Sequence, residues 1–222
     1  MKMKIVLLLV CVAMLGTTAC KKENKDNQLV TKAKEYKNLS VPTTDWVYFS
    51  FEKNQIVPVT DPDKSTDWDI AFNQYDVKTR GALNTRLTAF DQVTQAPKDG
   101  YVSDVERYTF SGRTVSQNQS SPVISMGYTE SFWQFISERG LLKNISENLQ
   151  EDVKKTLVHN NGWQTFSYVN NRPTFVQNNW IYVVKTAKNK YAKLHIYSYT
   201  NEKNEAFYIS FRYQIADVNH QF

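Results

Sequence analysis

Residues 180–213 read WIYVVKTAKNKYAKLHIYSYTNEKNEAFYISFRY, a run in which apolar and polar residues alternate between short polar breaks. Alternation with a period of two is typical of strands that bury one face. The pattern predicts three strands joined by two turns, at residues 180–186, 190–199 and 206–213. Strands joined by such short turns pair antiparallel, so this part of the chain is expected to form a meander.

The same alternation recurs around two tryptophans closer to the N-terminus. It predicts strands over Asp45–Phe51 and Asp67–Phe72, and shorter ones over Ile56–Val59 and Tyr75–Thr79. In contrast, Thr109–Pro122 is rich in Ser, Gln and Asn and has only scattered apolar residues. We therefore expect Thr109–Pro122 to be a loop.

One segment shows helical spacing instead. Apolar residues recur every three or four positions over Glu130–Val158, with Gly140 as a break, which predicts two helices. Residues 163–176 are expected to be a loop or a short strand interrupted at Pro173. The predicted fold class is therefore mostly β, an antiparallel sheet domain with a few short helices.

The composition excludes several classes of protein. Among 222 residues there are 13 Tyr, 12 Phe and 5 Trp but only 7 Gly, and a nucleotide-binding α/β fold needs glycine at its phosphate turns. A mean hydropathy of −0.53 excludes a multispan membrane protein. The chain has no Gly-x-Ser-x-Gly, His-Glu-x-x-His or P-loop motif, so it is not expected to be an enzyme.

The N-terminus has the features of an exported bacterial lipoprotein. The basic residues of Met1–Lys4 precede an apolar run, Ile5–Leu15, and small residues, Gly16–Ala19, stand directly before Cys20. The apolar run is too short to span a bilayer. We predict a lipoprotein signal peptide over residues 1–19 and acylation of Cys20, so that the membrane is reached only through the lipid. The alternative is an ordinary secretory signal cut near Ala19, which would leave a free thiol.

Processing would simplify the remaining chain. Cys20 would be the only cysteine left, so no internal disulfide or cysteine-based metal site is expected. The net charge would fall from +5 to +3, with 25 basic against 22 acidic residues, and no dense basic run suggests a nucleic-acid partner. We expect residues 20–40 to be the lipidated cysteine and a flexible tether, and residues 41–222 to be the β-rich domain.

Three of these stretches resemble the HmuY family, haem-binding surface lipoproteins of Bacteroidetes. They are Trp46–Phe51, Ser65–Phe72 and Tyr182–Leu194, and the resemblance extends from about Asp45 to Tyr213. It implies an antiparallel β fold that holds one haem between loops at one end. It also implies a haemophore on the outer membrane, facing the exterior, that takes haem from host haemoproteins and passes it to a TonB-dependent receptor.

The family carries its iron ligands, paired histidines or paired methionines, on loops upstream of the meander. In that region this chain offers one methionine, Met126, and one histidine, His159, which become the candidate axial ligands. Both have ordinary structural interpretations: Met126 as a core residue that fills a gap, and His159 as a cation at a helix C-terminus.

The chain also departs from the family pattern. Where relatives tend to carry the second ligand near a Pro-Thr element, it reads Asn170-Asn171-Arg172-Pro173-Thr174. Either His159 replaces the lost ligand, or one residue binds the iron, or haem is not bound. In the last case the scaffold would be a lipoprotein for another ligand or partner. Candidate partners for haem propionates are Arg80, Arg86, Arg113 and Arg172.

Overall fold

The computed structural model describes residues 31–111, 114–170 and 172–222. The predicted signal peptide, Cys20, most of the predicted tether and Arg113 lie outside the described residues. Within the described part the chain forms mostly strands. They are β1 Lys34–Ser40, β2 Val47–Ser50, β3 Gln55–Ile56, β4 Ile70–Asn73, β5 Asp76–Thr79, β6 Ala82–Asn84, β7 Val105–Ser111, β8 Thr114–Ser120, β9 Gly127–Tyr128, β10 Gln164–Val169, β11 Arg172–Gln177, β12 Tyr182–Lys185, β13 Tyr191–Thr200 and β14 Ala206–Ile215.

Two sheets enclose the main core. The five-stranded sheet has the order β1-β14-β13-β12-β6, and the four-stranded sheet has the order β3-β2-β4-β5. Strands β12, β13 and β14 form the antiparallel meander that the alternation predicts. The inner faces of the two sheets meet in aromatic contacts, such as the edge-to-face pair of Phe49 and Phe211 with ring centroids 5.1 Å apart. The prediction of a mostly β, antiparallel fold is confirmed.

The predicted tether ends earlier than residue 40. Strand β1 pairs antiparallel with β14, with Lys34 opposite Tyr213 and Ser40 opposite Tyr208. Leu39 is fully buried in the main core. Residues 34–40 therefore belong to the folded domain, because the backbone pairing and the burial of Leu39 outweigh their polar composition.

The prediction of a loop over Thr109–Pro122 is wrong. Strands β7 and β8 pair through seven successive residue pairs, from Val105 opposite Ser120 to Ser111 opposite Thr114. The hairpin buries few apolar side chains, with Val115 as the clearest case. Polar residues occupy both faces of β8, where Ser116, Gln117 and Gln119 are exposed, so the alternation that marks a half-buried strand is weak in the sequence.

Two helices and a small sheet complete the fold. Helices α1 (Glu130–Glu138) and α2 (Glu147–Leu157) confirm the helical spacing, and Gly140 has a φ of +64° between them. Among the described residues, neither helix is long and apolar enough to cross a membrane. The small sheet has the order β11-β10-β9, and Pro173 is accommodated in its edge strand β11.

Candidate functional site

A cavity of about 350 Å³ lies where the small sheet meets the end of the meander. Its volume falls within the range of small-molecule sites. We call it the aromatic cavity, because six of its eight described lining residues are aromatic. The lining residues are Gln74, Tyr75, Phe110, Met126, Tyr128, Phe166, Phe175 and Phe207.

The aromatic rings of this cavity pack on one another at its mouth. Tyr75 stacks on Phe175 with centroids 5.4 Å apart, and Phe166 meets Phe175 edge to face at 4.8 Å. The side chains of Phe175 and Phe207 are nevertheless 46% and 36% exposed. The mouth therefore presents apolar ring surface that the protein itself does not cover.

The backbone at Phe207 is strained. Its φ is +71°, a value that bulky residues rarely adopt. The carbonyl of Phe207 accepts a hydrogen bond from the Val41 amide at 2.8 Å, and the neighbouring strand shows a register shift between Ser198 and Thr200. Such strain tends to occur at functional sites. Here it accompanies a ring placed at the mouth of the aromatic cavity.

This strain can be measured with two substitutions. Phe207→Gly is expected to have a free energy of unfolding about 1 kcal/mol higher than Phe207→Ala, because glycine adopts a positive φ without the Cβ penalty. Both variants lose the ring, so urea denaturation of the pair isolates the backbone term. At Tyr208, whose φ is not positive, the order should reverse. A more stable alanine variant at both positions would contradict the strain.

Met126 forms part of the wall of the aromatic cavity. It is 3% exposed, its amide donates to the Tyr75 carbonyl at 3.1 Å, and its carbonyl accepts from Arg107 Nη2 at 3.4 Å. Met126 also belongs to a second group of buried apolar residues, which includes Phe132 of α1 and Leu157 of α2. The backbone of Met126 is thus held by two hydrogen bonds, and the residue is part of the cavity lining.

Two glycines let the segment of Met126 approach the segment of His159. A Cβ on Gly127 would lie 1.9 Å from the His159 carbonyl oxygen, and one on Gly162 would lie 2.0 Å from the Ser125 carbonyl oxygen. Neither distance is possible between real atoms, so only glycine fits at these positions. The structure therefore brings the two candidate ligands into neighbouring segments, although 33 residues separate them in sequence.

The side chains of Met126 and His159 nevertheless face different cavities. His159 lines a second cavity, of about 310 Å³, with Arg107, Lys155 and Thr156 among its neighbours. Its Nε2 lies 3.1 Å from Arg107 Nη2. Because arginine has only donors, Nε2 must be the acceptor, so its lone pair is used by the guanidinium. Burial, and next the charge of Arg107, lower the pKa of His159 to about 3, which keeps the imidazole neutral.

Arg107, the residue that contacts His159, forms a buried ion pair with Asp76. Arg107 Nη1 lies 3.0 Å from Asp76 Oδ1, and the two side chains are only 1% and 9% exposed. Asp76 also accepts from Asn118 Nδ2 at 2.7 Å. Burial raises the pKa of the Asp76 carboxyl, and the charge of Arg107 opposes this rise. This pair could not be predicted from the sequence, because strand alternation does not reveal which distant residues meet.

The other candidate residues lie away from the aromatic cavity or are engaged within the protein. Arg80 lies over the Trp68 ring at 4.0 Å, Arg86 donates to Asn161, and Arg172 is exposed on β11. None of the three is among the described lining residues of the aromatic cavity. Tyr128, a lining residue of the aromatic cavity that sequence reasoning did not select, donates its hydroxyl to the Phe110 carbonyl at 3.0 Å. Burial raises the pKa of Tyr128, so it stays a neutral phenol.

Comparison with known proteins adds a family and several related structures. Residues 42–213 match the sequence model described as HmuY protein, and no curated protein sequence matches the chain significantly. The apo HmuY analogue of Tannerella forsythia is 20% identical, with a TM-score of 0.51 over 84% of this chain and 97% of its own.

Two further similar structures are of proteins whose functions are assigned only provisionally. One, an HmuY-like haem-binding protein of Bacteroides vulgatus, is 20% identical, with a TM-score of 0.51 over 86% of this chain and 94% of its own. The other, a lipoprotein of Bacteroides fragilis, is 16% identical, with a TM-score of 0.52 over 82% of this chain and 90% of its own. At these identities the likeness concerns the fold.

Proposed function

Because the chain belongs to the HmuY family, we propose that it binds haem and that the aromatic cavity receives the macrocycle. The observation that carries the proposal is a cavity walled by aromatic rings with a methionine among its lining residues. An apolar slot with a soft axial ligand is what a protein supplies to haem iron. The proposed role is binding and transfer, without a reaction on the haem.

The side chains of the aromatic cavity fit the apolar macrocycle of haem better than they fit an iron with two protein ligands. Tyr75, Phe175 and Phe207 offer ring surface to a flat apolar ligand, and Met126 offers a thioether, which prefers ferrous iron. His159, the second candidate from the sequence, has its Nε2 turned to Arg107. We therefore propose Met126 as the one protein ligand of the iron and His159 as the residue that holds Arg107.

The wider role is also part of the proposal. An N-terminal lipid on Cys20 would hold the domain at the outer membrane, facing the exterior, where it would take haem from host haemoproteins. A TonB-dependent receptor would then accept the haem. The signal-like sequence of residues 1–19 and the family support this role.

The proposal is tested by titrating the purified domain with haemin. We expect a sharp Soret band that saturates at one equivalent in the oxidised and in the reduced protein. Met126→Leu, which conserves volume, should change the ferrous spectrum more than the ferric one, because thioether sulfur prefers the softer iron. His159→Gln should leave both spectra unchanged.

Two results would contradict this proposal in different ways. A broad band like that of free haemin would reject haem binding and favour a lipoprotein for another ligand, the alternative from the sequence. That alternative has one observation in its favour, since no histidine is among the described lining residues. A spectrum that depends on His159 and is indifferent to Met126 would instead reject the ligand assignment.

A further inference from the structure

We infer that the aromatic cavity recognises the porphyrin plane rather than the iron, so that metal-free protoporphyrin is a ligand of the same site as haem. The inference rests on the proposed function and extends it to a class of ligand. It depends on three features of the cavity: its possible iron ligands, its exposed aromatic surface, and the lack of charged side chains among its described lining residues.

The cavity offers little to iron. Of its eight described lining residues, Met126 alone has a side chain that binds iron well while neutral, and a thioether is a weak ligand of ferric iron. Tyr128 binds iron as a phenolate, but its hydroxyl donates to the Phe110 carbonyl. Among the residues that the structure describes, no three His, Cys, Asp or Glu side chains cluster as a metal site.

The imidazole of His159 is held away from the aromatic cavity by hydrogen bonds that would have to break before it could bind iron there. To turn toward the aromatic cavity, His159 would leave Arg107, a buried guanidinium that it shares with Asp76 and with the Thr156 carbonyl. Such a change would remove a neutral acceptor from a buried cation. The structure thus favours a site in which iron gains one bond from the protein at most.

The cavity offers much more to a flat ring. Phe175 and Phe207 expose apolar ring surface at its mouth, while Tyr75 and Phe166 lie behind them in stacked and edge-to-face contacts. Every porphyrin has the same aromatic faces whether or not it holds a metal, and stacking on aromatic side chains is tolerant of the ligand's identity. The strained backbone at Phe207 places one of these rings.

The cavity offers no charge to the ligand. None of the eight described lining residues is an acid or a base. A porphyrin with two propionates would therefore enter by its apolar edge and leave the carboxylates in water, since burial of an unpaired carboxylate is strongly unfavourable. A metal-free porphyrin can bind in this orientation as well as haem does.

The test compares haemin with metal-free protoporphyrin IX on the same variants. Titrations followed by absorbance and by quenching of tryptophan fluorescence should give one-to-one binding, with dissociation constants within about tenfold of each other. Met126→Leu should leave protoporphyrin binding unchanged and weaken haem binding mainly in the reduced protein. Phe175→Ser should weaken both ligands by about tenfold or more, because the stacked ring is lost. Val176→Ser is the matched control, since Val176 is exposed on the same strand and is not among the lining residues.

The possible failures can be told apart. If haemin binds and protoporphyrin binds more than about a hundredfold more weakly, the inference is overturned while haem binding stands. If neither binds, the proposed function fails and the inference with it. If Val176→Ser weakens binding as much as Phe175→Ser, the ligand lies elsewhere on β11 and the inference is again overturned. Far-ultraviolet circular dichroism of each variant verifies that the fold is retained.

Discussion

Replacing Asp76 by alanine is expected to lower the free energy of unfolding by about 3–5 kcal/mol. The substitution leaves the Arg107 guanidinium in the protein interior without its carboxylate, which lies 3.0 Å away in the native protein. A buried charge without a partner is far less stable than the same charge in water. Urea denaturation at neutral pH, followed by tryptophan fluorescence, measures the loss.

Two controls separate the ion pair from a general effect of substitution. The double variant Asp76→Leu with Arg107→Met removes both charges and should recover most of the stability, because apolar side chains can replace a buried pair. Asp152→Ala breaks a pair whose partners are 72% and 66% exposed and should change stability by less than about 1 kcal/mol. A loss of similar size in all three variants would show that the buried pair has no special role.

The stability of the protein is expected to fall in acid in a way that depends on His159. The folded protein holds the pKa of His159 at about 3, whereas the unfolded chain has the ordinary value of 6.5. Between these values only the unfolded state takes up the proton, so stability is full above about pH 6.5 and declines as the pH falls. The contribution of this residue is about 1.4 kcal/mol per pH unit.

The comparison with His159→Gln isolates this contribution. Glutamine accepts a hydrogen bond from Arg107 but does not titrate, so the wild-type protein should lose about 2 kcal/mol more than the variant between pH 7 and pH 5. Burial raises the pKa of Asp104 to about 6, which gives a slope of opposite sign in this range, but that slope is common to both proteins and cancels. Parallel stability curves for the two proteins would rule out a buried neutral His159.

Much of the fold could be predicted because its strands alternate strongly. The meander and the two tryptophan strands place every second residue in the main core, as Leu194 and Ile196 do in β13, and this produces their alternation in the sequence. The hairpin of β7 and β8 could not be predicted in this way. It lies on the surface with polar residues on its exposed side, so its pairing comes from contacts with the rest of the protein.

The candidate site was predicted only in part. Met126 and His159 could be selected because so few side chains of their kind are present, and the structure places their segments side by side. The direction of the His159 ring could not be predicted, because it depends on Arg107, whose own partner Asp76 is 31 residues away in sequence. The positive φ of Phe207 could not be predicted either, because in the sequence the residue is part of the regular alternation of residues 206–213.

The pairing of β1 with β14 places the N-terminal side of the domain and the aromatic cavity at different ends of one strand. The chain enters the five-stranded sheet at Lys34, opposite Tyr213, and reaches Ser40 opposite Tyr208. The next residue, Val41, donates to the Phe207 carbonyl. Seven residues of strand cover about 20 Å, so the N-terminal side of the domain and the mouth of the aromatic cavity lie toward opposite ends of β1. In a domain held to a membrane by its N-terminus, the attachment point and the mouth would therefore lie at opposite ends of β1, so the anchor would leave the mouth free for ligands and receptors in the surrounding medium.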